Sequence, residues 1–197
     1  MLDRLNEGKW WDRGHLLIEG CTRVSPGCDH CWAAGFSHRF DGALTDETGN
    51  WTGEVRLRPE GIENLGRGRP GVRAIWNDLF HPRVPFDFVA RVFFKIGHYT
   101  DNIYVILTKR PQRMVAFYQW FEAKGYPLKG YPLPRNIIPA TSAENQEQAD
   151  ARLPFLLQVP GLVRMVSLEP LLGPVDLTPY LRSQPALGWV VCGGETG

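Results

Sequence analysis

The feature that most constrains the fold is an alternation of strand-like and helix-like segments that repeats from residue 72 onward. Short apolar or β-branched runs begin about thirty residues apart, which is the usual length of a βαβ unit. Because such units cross over with one hand, they predict successive parallel strands in one sheet. The runs are Val72–Trp76 and residues 102–107, 136–141, 162–168 and 188–192, and an earlier run at 15–19 makes six.

Helical patterns separate several of these runs. Apolar residues recur on one face over residues 86–99 and again over 111–124, as in an amphipathic helix. A shorter helix is predicted over 145–153, and Pro154 is expected to end it. The sequence therefore predicts a single α/β domain over residues 1–197, with its strands in an incomplete (β/α) barrel or an open parallel sheet. Residues 41–71 interrupt the alternation and are expected to be an irregular insertion with a short strand at 54–57.

The overall composition is that of an ordinary globular protein. Hydrophobic residues make up 43% of the chain, and 22 basic residues against 21 acidic ones leave a formal net charge of +1. No apolar run is long enough to span a bilayer and no signal peptide is recognisable, so a cytoplasmic protein without membrane contact is expected. One basic cluster stands out, and it is expected mainly to face solvent, with phosphate contact as the alternative: Arg56, Arg58, Arg67, Arg69 and Arg73.

Three cysteines form the strongest chemical motif. Six residues separate Cys21 from Cys28, and two separate Cys28 from Cys31. Three thiolates are soft ligands suited to an iron–sulfur cluster, and they would leave one cluster iron open. A structural zinc site with His30 or His15 as fourth ligand is the alternative, while a disulfide is disfavoured in the cytosol. The fourth cysteine, Cys192, is expected to be a buried small hydrophobic residue.

Polar residues cluster where the predicted strands end. In parallel α/β folds the carboxyl ends of the strands meet at one edge, where chemistry collects. Lys109 and Arg110 precede a helix that begins at Pro111, an unfavourable place for cations, so an anionic partner is expected there. It is either the carboxylate or phosphate of a ligand or an Asp or Glu across the same edge. The other residues at these exits are Asn77, Asp78, Ser142, Glu144, Asn145, Glu169, Gly193, Gly194 and Glu195.

The run GCTRVSPGCDHC at residues 20–31 resembles the signature of a phage and prophage family of unknown function with a three-cysteine motif. That family is related to the radical S-adenosylmethionine (SAM) enzymes. The likeness continues through six further blocks: GEVRL at 53–57, DLFH at 78–81, LTKRP at 107–111, ENQ at 144–146, EPLLGP at 169–174 and GGETG at 193–197.

The resemblance implies a partial (β/α)6 TIM-like barrel, of radical-SAM type, that holds a 4Fe-4S cluster on Cys21, Cys28 and Cys31. SAM would bind the open iron and support radical chemistry on an unknown substrate. Relatives continue for about another strand, so the carboxyl terminus is expected to be shortened. Lys109, Arg110 and Glu195 are then the catalytic candidates, and the cofactor-binding candidates are Asn77, Asp78, Ser142, Glu144, Asn145, Glu169, Gly193 and Gly194.

The implied partners are a nucleotide, nucleic acid or protein substrate and an electron donor such as flavodoxin or ferredoxin. The expected location is the cytoplasm, that of a bacterial host if the gene belongs to a phage. The alternative is a non-catalytic module that binds iron–sulfur or zinc and acts in phage–host interaction or nucleic-acid processing.

Overall fold

The structure, a computed structural model, describes residues 10–40, 42–125 and 133–194. Its centre is a six-stranded parallel sheet in which the spatial order of the strands follows the chain. A two-stranded antiparallel ribbon lies apart from this sheet. The main-sheet strands are β1 (Arg13–Leu16), β4 (Val72–Trp76), β5 (Ile103–Thr108), β6 (Ile137–Ser142), β7 (Met165–Leu168) and β8 (Trp189–Cys192), and the ribbon pairs β2 (Ile18–Glu19) with β3 (Arg56–Leu57).

Helices precede or connect these strands. Pro111 begins the longest of them, as suits a residue without a backbone N–H, and Gly125 follows its end with a φ of 75°. Asn145 caps another by accepting a hydrogen bond from the backbone N–H of Gln148. The helices are α1 (Trp32–Phe40), α2 (Pro59–Ile62), α3 (Phe86–Gly97), α4 (Pro111–Ala123), α5 (Gln146–Leu156) and α6 (Thr178–Leu181).

The two faces of the sheet differ in what covers them. On the outer face, Ile75, Tyr104 and Ile106 pack with buried residues of α3 and α4 in one core cluster. Val105, Ile138 and Met165, which alternate with the outward residues, form a separate cluster on the inner face. Right-handed crossovers between sequential strands place the helices on one side. Among the described residues, the cluster on the inner face is formed by strand residues together with Trp10 and Val163.

The prediction of an α/β fold with six parallel strands is confirmed, and several details differ. The run at 15–19 divides into β1 and the ribbon strand β2, since residues 18–19 pair with the predicted short strand of the insertion. Pro154 lies inside α5 instead of ending it, because Leu153 and Leu156 on either side are fully buried and hold the helix in place. Among the described residues, β1 and β8 form the edges of the sheet.

The expectation that Cys192 is buried is wrong. Cys192 lies on the edge strand β8 and is exposed, as is Val190 on the same face. That face carries no covering helix in the part of the chain that the structure describes. In the same part of the chain, every helix is too short or too polar to cross a membrane.

Candidate functional site

The cysteine loop, residues 20–31, follows the ribbon strand β2 and lies against the carboxyl ends of the main-sheet strands. Gly20 has a φ of +82°, and a Cβ there would come within 2.0 Å of the carbonyl oxygen of Glu54, so a glycine is required. A short 3-10 turn at Pro26–Cys28 then reverses the chain, with the backbone N–H of Cys28 donating to Ser25 O. Cys31 directly precedes α1.

One buried ion pair anchors the beginning of this loop. Arg110, after β5, donates through Nη1 to Asp78, after β4. Its Nη2 donates to the backbone oxygen and the hydroxyl of Thr22, at 3.1 and 2.6 Å. Asp78 Oδ1 also accepts from the Thr108 hydroxyl and the backbone N–H of Phe80, so Asp78 is largely occupied in orienting Arg110.

A second buried ion pair anchors the middle of the loop. Glu144, after β6, pairs with Arg152 of α5 at 2.9 Å, and the Glu144 side chain is wholly buried. Glu144 Oε1 accepts from the backbone N–H of Gly27, and Arg152 Nη2 donates to the Ser25 hydroxyl. A Cβ on Gly27 would lie 2.9 Å from the Glu144 carboxyl carbon and from Lys109 Nζ, so the close approach depends on glycine.

Two cations beside these anchors lie against two of the three thiols. Lys109 Nζ lies 3.4 Å from Cys28 Sγ and 3.9 Å from Glu144 Oε2. Arg110 Nη1 lies 4.0 Å from Cys21 Sγ. Cations adjacent to sulfur favour the thiolate, which is the form that binds metals.

The surroundings shift the two thiols in opposite directions. Burial, reinforced by the Asp78 carboxylate, raises the pKa of Cys21 to about 11 against the opposing effect of Arg110. Burial would also raise the pKa of Cys28, but backbone hydrogen bonds at Val24 and Ser25 and the Lys109 ammonium together lower it. Cys28 is therefore the more acidic of the two thiols in the absence of bound metal.

His81 joins the first anchor as a neutral ring. Its Nδ1 accepts from the backbone N–H of Arg83, which leaves Nε2 to donate to the Thr22 hydroxyl at 3.0 Å. Burial and the nearby Arg110 charge lower the pKa of His81 to about 4. The neutral tautomer thus supports the same threonine that Arg110 holds.

Three of the other predicted residues make contacts that support the fold. Asn77, with a φ of 59°, donates through Nδ2 to the carbonyl of Ile18, and Asn145 caps α5. Ser142 is buried at the end of β6, where its carbonyl accepts from Arg152. These contacts are structural and leave their predicted cofactor roles as predictions.

Glu169 and Gly193 meet at the far side of the same edge, and Gly194 follows Gly193 in the chain. Glu169 Oε2 accepts from the Ser167 hydroxyl at 2.9 Å, and a Cβ on Gly193 would lie 2.7 Å from Glu169 Oε1. Leu171 donates its backbone N–H to Gly193 O, which ties this segment to the end of β8. Glu195, a predicted catalytic residue, lies outside the described residues.

The donor set suits an iron–sulfur cluster in its chemistry. Cys21, Cys28 and Cys31 are free, half-buried thiols on one loop. Within the described ranges, no three His, Cys, Asp or Glu side chains are arranged to hold a single metal ion. In a 4Fe-4S cluster each thiolate binds a different iron, so the three sulfurs are not required to converge on one point.

Sequence reasoning missed Thr22, Ser25 and Arg152, which hold the loop in place. Arg152 did carry a signal, because it shares the buried face of α5 with Ala149, Leu153 and Leu156. A charged residue on an apolar helical face requires a buried partner, and here that partner is Glu144.

Comparison with known proteins gives one match. The chain matches the family described as "Protein of unknown function (DUF5131)" over residues 6–197. No curated protein and no solved structure matches it. Because this match covers nearly the whole chain, including the cysteine loop and both of its anchors, the protein belongs to the DUF5131 family.

Proposed function

We propose that this protein is an iron–sulfur protein of radical-SAM type. In this proposal Cys21, Cys28 and Cys31 hold a 4Fe-4S cluster, and SAM binds beside it for radical chemistry on a substrate of unknown class. One observation carries the proposal. The three-cysteine loop is fixed by two buried ion pairs against the carboxyl edge of a parallel sheet, with Lys109 and Arg110 beside two of the thiols.

The charges around the loop support an anionic group at the thiols. Three cations, Lys109, Arg110 and Arg152, are set against two buried carboxylates, Asp78 and Glu144. Thiolates bound to a cluster would supply the negative charge that this arrangement lacks. Uncompensated buried charge is costly, so the surplus cation favours thiolate over thiol.

The strand order supports the finer fold assignment. Strands that follow one another in space as they do in the chain are the arrangement of a (β/α) barrel opened between its first and last strands. An open sheet wound in both directions would instead reverse its order at a switch point. The proposed fold is therefore a partial (β/α)6 barrel with the cysteine loop at its carboxyl end.

The chain's own residues would bind and orient the reactants. A reduced cluster supplies an electron for cleavage of SAM, and the protein supplies position and exclusion of water. Lys109 and Arg110 would stabilise the thiolates electrostatically, while Asp78 and Glu144 position those cations. Glu169, at the far side of the edge, is the proposed contact for the ribose hydroxyls of SAM.

Cluster assembly tests the proposal. The protein would be reconstituted with iron and sulfide without oxygen, and its iron, sulfide and zinc contents would be measured. We expect about four iron atoms per chain in the wild type and a loss of most of them in Cys28→Ser. Cys192→Ser is the matched control, because Cys192 is an exposed cysteine outside the loop 20–31, and it should retain the full content.

Two results would contradict the proposal. Equal iron contents in wild type, Cys28→Ser and Cys192→Ser would remove the cysteine loop from any cluster site. One zinc ion in place of iron, lost in Cys28→Ser, would identify the non-catalytic metal-binding alternative.

A further inference from the structure

We propose a second site, a binding surface for the phosphodiester backbone of a nucleic acid. It lies at the amino ends of the strands, opposite the carboxyl ends where the cysteines lie. Its exposed cations are Arg13 on β1 and Arg67 and Arg69 on the loop 66–71 that precedes β4, and the buried Arg73 lies on the adjacent strand β4. We refer to these four residues as the arginine edge. This inference does not depend on the proposed iron–sulfur function.

The sheet register places two of these arginines side by side. Arg13 of β1 and Arg73 of β4 are direct partners in the parallel ladder, so their side chains leave the same face. Like charges directly opposite each other on neighbouring strands destabilise a sheet unless an anion separates them. The pair therefore places two like charges on neighbouring strands of the unbound chain.

The partners of both guanidinium groups are neutral. Arg73, 2% exposed, donates to the side-chain oxygen of Asn102 at 3.0 Å and to Arg69 O at 2.6 Å. Arg13 donates to Arg67 O at 2.9 Å, and its Nη1 would lie 3.3 Å from a Cβ on Gly68. Within the described ranges, none of the four arginines forms an ion pair with a carboxylate. Asp12, at the same edge, accepts from the backbone N–H of Val72.

A buried histidine adds a second sign of a missing partner. His15 lies two residues after Arg13 and is 5% exposed, yet its Nε2 has no hydrogen-bond partner. Burial and then the charges of Arg73 and Arg13 lower its pKa to about 4. A buried polar atom without a partner is rare in folded proteins and marks a place for water or a ligand.

The shape of the loop favours a nucleic acid over other anions. Arg67 and Arg69 are exposed and alternate with glycines, so their side chains can follow a strand of successive phosphates. Guanidinium groups match phosphate oxygens with paired hydrogen bonds. A membrane surface would be expected to meet exposed apolar side chains as well, and the sequence of the loop, GRGRPG, contains no large apolar residue.

The test is fluorescence anisotropy with labelled 20-nucleotide single-stranded RNA and a 20-base-pair DNA duplex, using the full chain over a range of salt concentrations. With three exposed arginines in contact, the slope of log K against log salt should be about −2 for the single strand and −3 for the duplex. Arg67→Gln/Arg69→Gln should weaken binding at least tenfold and remove about two-thirds of that slope.

The matched control is Arg39→Gln/Arg182→Gln, which removes the same charge from exposed arginines elsewhere and should bind as the wild type does. Circular dichroism would confirm that both double variants fold. Two results would overturn the proposal: no binding to either probe at low salt, or equal binding by both double variants. Binding only to anionic lipid vesicles, or stabilisation only by inorganic phosphate, would also overturn it and would identify a lipid or a free phosphate as the ligand.

Discussion

Buried charged residues have different partners at the carboxyl ends and at the amino ends of the strands of the central sheet. At the carboxyl edge, Arg110 and Arg152 each pair with a buried carboxylate, and the two pairs fix the cysteine loop. At the amino edge, Arg13 and Arg73 are direct neighbours on paired strands and are satisfied only by carbonyl and amide oxygens. At the first edge two of the three cations, Arg110 and Arg152, are paired with buried carboxylates, while the second edge carries charge that no carboxylate among the described residues pairs with.

This difference indicates that the charges at the carboxyl edge position the cysteine loop, while those at the amino edge are available to bind an anion. A buried ion pair between distant segments holds a loop in one place, because breaking it leaves an unpaired charge in the interior. A set of cations with neutral partners contributes little to folding and is available to an anion from outside. The following predictions vary the charges at the two edges, from the largest expected effect to the smallest.

Glu144→Gln should lower the free energy of unfolding by about 3 kcal/mol, because it leaves Arg152 buried without its carboxylate. Urea unfolding measures the change. Glu60→Gln is the control, since its carboxylate is exposed and pairs with Arg58 at 3.6 Å, and it should change stability by less than about 0.5 kcal/mol. Equal effects of the two substitutions would show that the Glu144 pair does not anchor the loop.

Acid should destabilise the protein through two histidines, His81 beside the cysteine loop and His15 beside the arginine edge. Both His15 and His81 have a pKa of about 4 in the folded chain, against about 6.5 when unfolded. The unfolded state therefore binds more protons between these values, so stability falls as the pH drops from about 6.5 to 4. The loss is at most about 3 kcal/mol for each histidine.

Urea unfolding at several pH values measures this dependence. His15→Gln and His81→Gln should each reduce the loss of stability between pH 7 and 4. A pH dependence identical in the wild type and both variants would contradict the assignment of neutral buried rings.

Arg13→Gln should have the smallest effect, with a stability within about 0.5 kcal/mol of the wild type or slightly above it. The substitution removes the repulsion with Arg73 at the cost of one exposed hydrogen bond. Thermal unfolding in buffers of low and high ionic strength measures it, and added salt should stabilise the wild type more than the variant. A loss greater than about 1 kcal/mol would show that Arg13 already has a stabilising partner.

The periodic elements were predictable from sequence, and the anchoring of the loop was not. Six strands and the helices α3 and α4 followed from local periodicity and from Pro111 and Gly125 at the helix ends. The contacts from Gly27 to Glu144 and from Ser25 to Arg152 join residues 117 and 127 positions apart. No local pattern encodes such pairs, although a charged residue on the buried face of α5 indicates that one exists.

The arginine edge was also only partly predictable from sequence. The arginines of the basic cluster were expected mainly to face solvent. Arg73 is instead buried, while Arg56 and Arg58 pair with Glu19. Within the part of the chain that the structure describes, Arg67 and Arg69 are the arginines of that cluster that are exposed and whose side chains form no hydrogen bond or ion pair. Arg13 joins them because of the strand register, which the sequence pattern alone does not determine.

The most direct test of the central claim is the electron paramagnetic resonance spectrum of the reconstituted, reduced protein, recorded with and without SAM. A 4Fe-4S cluster held by Cys21, Cys28 and Cys31 alone has one iron without a protein ligand. We therefore predict a cluster signal in the wild type that changes when SAM is added. A cluster signal that is indifferent to SAM, or the absence of any cluster after reconstitution, would contradict the account.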